Sequence, residues 1–228
     1  MAARDDILAA IRGHGPAPQE LPHVPDFRQG HGDLTGLFIA ALQRLDGQAV
    51  PGPPAGLPRW LAETFPDARG MCSAVPEVPG TVTPSGFSDW AAPADVDVMV
   101  VRTPLAVAET GSILLTENEL SITTAAVLAQ HLVVLLDAAD LVENIHHAYR
   151  HPAFQQAAYA VLLSGPSGSA DIGGNTVHPA QGVTTLTVIL APRATAGRDK
   201  PTRTMPDPVR LDPGGLAASE QVLAKPLS

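Results

Sequence analysis

VDVMVVR, residues 96–102, and SILLT, residues 112–116, are short runs of branched and apolar residues with almost no polar alternation. A strand with one wet face alternates apolar and polar side chains, so continuous runs of this kind are expected of strands covered on both faces. QHLVVLLD (130–137) is a third such run and TTLTVILA (184–191) a further one, while YAVLLSG (159–165) reads as a strand or a helix-to-strand junction. Between them LVENIHHAYRHPAF (141–154) and FQQAAYAVL (154–162) carry helical patterns. Strand and helix therefore alternate, which predicts an α/β layered domain with a mostly parallel sheet flanked by helices.

Outward from this core, toward the N-terminus, short helices alternate with proline-rich connections. In RDDILAAIR (4–12), Ile7, Leu8 and Ile11 share one helical face between the acids Asp5 and Asp6 and the stop at Gly13, and that face needs a second surface to cover it. DLTGLFIAALQRLDG (33–47) brings Leu37, Phe38, Ala41, Leu42 and Leu45 to one face and ends at Gly47. A short strand at Ala49 and Val50, a helix in PRWLAETF (58–65) and a β-segment from Met71 to Val75 follow, and then a proline- and glycine-rich loop or lid from Pro76 to Pro93. The resulting division is a helical, proline-rich N-terminal extension at 1–90 packed on the core, an α/β core at 91–192, and an extended proline-rich tail at 193–228. Such a tail is suited to wrap a second subunit, so a homo-oligomer is one expectation.

With 228 residues and 45% hydrophobic content, the chain has enough material for one sizeable core. Fourteen basic against twenty-three acidic residues give a net charge of −9, with no basic stripe, which argues against nucleic acid as a partner. The N-terminus carries acids where a secretory peptide would turn apolar, so a cytoplasmic location is expected. The most apolar run, HLVVLLDAADLV (131–142), contains two aspartates and falls short of the roughly 20 apolar residues of a membrane span. A single cysteine, Cys72, excludes an intrachain disulfide and cannot hold an iron–sulfur cluster by itself; in RGMCSAV it reads as a small buried hydrophobe.

LLSGPSGSADIGG (162–174) concentrates glycine and serine directly after an apolar run. It lacks the lysine of a phosphate-binding P-loop, and its glycines do not have the dinucleotide-binding spacing. GPSGS comes within one residue of a nucleophile turn around Ser167, but Pro166 restricts the strained turn and Ser169 replaces the last glycine. Two readings stay open. Consecutive N–H groups, helped by the hydroxyls of Ser164, Ser167 and Ser169, can form a donor set for an anion at the carboxyl end of a strand. Alternatively, the small residues only permit a sharp connection, and Asp171 caps a following helix. PLAVAETGSILLT (104–116) adds Glu109, Thr110 and Gly111 just before another strand, where a carboxylate at a buried edge needs a partner: a ligand, or a neighbouring loop that it orients. His147 and His151 lie four apart, a spacing that ligates metal only with a third ligand; no metal site is expected, and a solvated helix end is the simpler reading.

AETGSILLT, LAQHLVVLLDAADLV, LSGPSGSADI and QGVTTLTVILA, in this order and spacing, resemble the lactate-utilization protein C or LUD-domain family, and ARDDILAAIR and FIAALQRLDGQAV extend the resemblance over most of residues 1–192. The resemblance implies a fold similar to that of the sugar-phosphate isomerase and CoA-transferase superfamily. It also implies a part in oxidising L-lactate to pyruvate beside two partner proteins that carry the iron–sulfur clusters, with no cofactor in this chain. The family's ligand-facing positions fall on Glu109, Thr110, Gly111, Ser164, Gly165, Pro166, Ser167, Asp171 and Gly182, and His131 matches a recurrent histidine. They imply a small anionic or nucleotide-like ligand. Where the family has Gly-Val-His-Gly-Pro this chain has PAQGV, with Gln181 for the histidine and Val183 for the proline, and Gly173 replaces an acid after Asp-Ile. These departures favour binding over acid–base catalysis. A rival expectation is a stand-alone enzyme of the isomerase or CoA-transferase type with Glu109 as nucleophile or general base.

Overall fold

The computed structural model describes residues 2–13, 22, 23, 25, 27, 30, 32–166, 169, 170, 176, 177 and 182–193. The elements before the core runs are α1 (Ala2–Gly13), α2 (Leu34–Gln43), β1 (Gln48–Val50), α3 (Leu57–Thr64) and β2 (Met71–Ser73). The core continues with β3 (Val98–Arg102), β4 (Ala106–Val107), β5 (Ser112–Thr116), α4 (Glu117–Leu120), α5 (Ala125–Leu128) and β6 (His131–Leu136). Then come β7 (Leu141–Val142), α6 (Ile145–Arg150), α7 (Pro152–Gln155), β8 (Ala160–Ser164), β9 (Ser169–Ala170), β10 (Thr176–Val177) and β11 (Thr185–Leu190).

The central sheet runs β1-β11-β6-β3-β2 with every pairing parallel. Its two edge strands, β1 and β2, come from the region N-terminal to residue 91. Side chains alternate across each strand, so one face of β3, β6 and β11 presents Met99, Val101, Leu132, Val134, Leu186 and Val188, which pack with Phe38 and Leu42 of α2. The other face presents Val98, Val100, Val133, Leu135 and Ile189 to Leu57 and Leu61 of α3 and to Val75 and Val78. Both faces are dry, which is why these strands read as continuous apolar runs.

SILLT and AVLLS are not part of that sheet. They form a second, mixed sheet in the order β7-β4-β5-β8, with β5 antiparallel to both β4 and β8 and β4 parallel to β7. Ile113 and Leu115 face the main core, while Leu114 packs with Leu105, Val107 and Ala148 in a separate cluster under α6 and α7. The α/β class with a mostly parallel sheet stands, but these runs belong to a layer stacked on it. The junction is Thr103, whose N–H donates to Leu135 O and whose hydroxyl lies 2.6 Å from Leu105 O and 2.7 Å from Leu114 O.

Two helical expectations shorten for local reasons. Leu141 and Val142 are strand residues, and helix α6 starts only where the Asn144 side chain accepts from His147 N at 3.1 Å. Pro152 disfavours helical backbone at His151, so α6 ends there and the His151 ring caps α7 by accepting from Ala153 N. Residues 160–162 of FQQAAYAVL are in β8 rather than a helix.

Candidate functional site

The segment AETG is the reversal between β4 and β5. Ala108 N and Glu109 N donate to Val142 O (2.8 Å) and Glu143 O (3.0 Å), and Gly111 N closes the turn on Val107 O at 3.0 Å. Gly111 has φ +66°, where a side chain is strained. Beyond the turn, the antiparallel register sets Ser112 opposite Ser164 at the end of β8. A chain of hydroxyls results: Thr110 Oγ1 is 2.6 Å from Ser112 Oγ, which is 2.5 Å from Ser164 Oγ. Ser112 is 4% exposed, whereas Ser164 opens to solvent. Three hydroxyl protons serve two internal bonds, and because the buried Ser112 must donate to one of its neighbours, the O–H left over belongs to Thr110 or Ser164.

Helix α2 and the turn that follows it close over the two loops. A Cβ on Gly111 would meet the backbone of Ala41 and Leu42, and a Cβ on Gly165, at φ +75°, would run into the carbonyl oxygen of Leu45. The close approach that Gly165 permits is thus to its own chain. Pro166 beside it is buried.

The two loops singled out from sequence therefore meet, through Thr110, Ser112 and Ser164. Sequence reasoning misses Ser112, although it opens SILLT directly after Gly111; its role depends on the antiparallel pairing with β8. Glu109 differs from expectation: it is exposed, so no burial cost demands a partner, and no hydrogen bond reaches its carboxylate among the described residues. The Ser164 loop also leaves a strand of the mixed sheet, not the carboxyl edge of a parallel one. Ser167, Asp171 and Gln181 lie outside the described residues. Gly182, at φ +103°, stands just before β11 with Val183 buried in the core, and no hydrogen bond joins it to the Glu109 turn among the described residues.

The remaining candidates have structural roles. His147 is in α6 and His151 caps α7; among the described residues no group of three or more His, Cys, Asp or Glu is placed to hold a metal. Burial pushes the Cys72 thiol up to about 11, and the side chain is fully buried, which disfavours a reactive thiolate near neutrality. Among the described residues no helix is long and apolar enough to cross a membrane.

Residues 92–191 match the family described as the LUD domain. The fold is similar to the crystal structure of a DUF162 family protein from Deinococcus radiodurans, with a TM-score of 0.54 and 16% identity, covering 70% of this chain and 96% of that one. At that identity the likeness speaks for the fold alone. No match was found among curated proteins. The matched segment contains the Glu109 turn, the hydroxyl chain, the mixed sheet and the three inner strands of the central sheet, and it is this part of the chain that is similar to the LUD domain.

Proposed function

We propose that this protein is the non-cluster subunit of an L-lactate utilization system, and that it binds a small anionic or nucleotide-like ligand on the surface shared by the Glu109 turn and the end of β8. The observation that carries the reading is the hydroxyl chain from Thr110 through Ser112 to Ser164, which makes two loops distant in sequence one polar surface. An outward O–H beside an exposed carboxylate suits a ligand with both an anionic group and a hydroxyl. A 2-hydroxy acid has both, and so does a ribonucleotide. The anion takes the hydroxyl proton in a hydrogen bond, and Glu109 accepts from the ligand's own hydroxyl. With one buried cysteine here, the iron–sulfur clusters of the system belong to its partners.

Thermal denaturation in lactate, pyruvate, phosphate and nucleotides tests the binding. Saturable stabilisation by at least one is expected, weakened in Ser164→Ala by one hydrogen bond, about 0.5–1.5 kcal/mol. Unfolding curves unchanged by every ligand would refute it.

A second reading rests on Glu109 itself. Its backbone is pinned to Glu143 while its carboxylate is exposed, an arrangement open to a nucleophile or general base in an isomerase or CoA-transferase reaction. Turnover of acyl-CoA donors or sugar phosphates that disappears in Glu109→Gln supports it; no turnover by the wild type removes it.

A further inference from the structure

In open α/β sheets, ligands ordinarily bind outside the carboxyl ends of the strands. At the opposite, amino edge of the central sheet lies a half-open cavity of about 380 Å³. Gln48 opens β1, Asp97 precedes β3, His131 opens β6 and Thr185 opens β11; all four line the cavity, and Phe65 and Asp67 wall it from the segment after α3. It shares no residue with the hydroxyl chain.

The lining is organised. His131 Nδ1 is 2.9 Å from Thr185 Oγ1, and the imidazole lies on Phe65 with ring centroids 4.7 Å apart. Asp97 Oδ2 accepts from both Arg69 N (2.7 Å) and Gly70 N (2.9 Å), which fixes the carboxylate. Its second oxygen, Oδ1, has no hydrogen-bond partner among the described residues. The backbone N–H groups of Gly70 and Arg69 hold this carboxyl below its usual range, while burial holds the His131 imidazole below its own, against the pull of Asp97. The cavity therefore presents the fixed Asp97 carboxylate, the exposed Asp67 side chain and an imidazole whose charged form burial disfavours. No lysine or arginine lines it; Arg69 lines the adjoining cavity, and its charge reaches Asp97 from there. The chain's net charge of −9 adds to the same field.

We propose that this cavity is a binding site for a small organic cation, an amine or amidinium whose charged head meets Asp97 Oδ1 and Asp67 and whose flat apolar body lies beside Phe65. Its volume falls at the small end of the range of ligand sites, and a cation beside an aromatic ring and carboxylates gains from both. The absence of a three-ligand cluster among the described residues makes an organic cation, rather than a metal ion, the fitting charge.

Titration of the full chain with benzylammonium and with benzoate, alike in size and opposite in charge, tests this by backbone amide resonances. Benzylammonium is expected to shift Gln48, Asp97, His131 and Thr185 saturably, and benzoate is not. Asp97→Asn retains an acceptor oxygen for the two N–H groups while replacing the free oxygen by a donor, so binding should vanish from a folded protein. Asp67→Asn, at an exposed position, should weaken binding about threefold, and it keeps the test available if Asp97→Asn perturbs folding. No saturable shift with benzylammonium, equal binding of benzoate, or undiminished affinity in Asp67→Asn would overturn the proposal.

Discussion

A side chain at Gly165 would strike the carbonyl of Leu45 and would sit at a φ that L residues rarely adopt. Gly165→Ala should therefore destabilise the protein by about 1–2 kcal/mol from the backbone alone, with the clash adding to it, as read by denaturant unfolding. Ser164→Ala, one residue away, removes only the bond to Ser112 and should cost less, about 0.5–1.5 kcal/mol. The need for small residues in this loop was legible in the sequence; the partner that enforces it was not, because Leu45 is far away in the chain. Glu109 shows the converse, since its residue type was readable while its exposure depended on a turn whose partner strand is β7. His131 adds a pH effect. Burial lowers its folded-state pKa from 6.5, so the unfolded chain takes up the proton first. Its contribution to stability is present above about pH 6.5 and is lost as pH falls from there through the folded value. His131→Gln should flatten that part of the stability profile measured between about pH 7.5 and about pH 5.5.

At the scale of elements, apolar runs announced the strands but not their sheets. VMVVR and SILLT both have two dry faces, one in the parallel sheet and one between the main core and the α6–α7 layer, so hydrophobic periodicity cannot separate them. Gly111 carried the missing signal, because a glycine in a four-residue connection permits the hairpin that turns β5 antiparallel. Thr103 then ties the two sheets together, with its hydroxyl shared between two carbonyls at a fully buried position. Thr103→Val, equal in shape but without the donor, should cost roughly 1–3 kcal/mol in chemical denaturation. A variant as stable as the wild type would mean that the sheets are held by apolar packing alone. The salt bridge between Arg102 and Glu77 fastens the long loop after β2 to the carboxyl end of β3, and Arg102 also donates to Ala191 O at 2.8 Å. Losing Arg102 should therefore cost more than losing Glu77.

For the whole molecule, the α/β class and the existence of the central strands could be read from residues 96–191, but the two-sheet stacking required long-range pairing that local pattern does not encode. The same holds for the candidate surface: Thr110 and Ser164 were identifiable as residue types, and only β5–β8 pairing with Ser112 between them makes them one site. The proposed part in lactate utilization is testable on the assembled system. Lactate-dependent reduction of the two iron–sulfur partner proteins, followed with no added subunit, with the wild-type chain and with Glu109→Gln or Ser164→Ala, measures it most directly. The wild-type chain is expected to associate with the partners and to raise the rate, and both variants to associate still but raise it less. An unchanged rate with no association would contradict it.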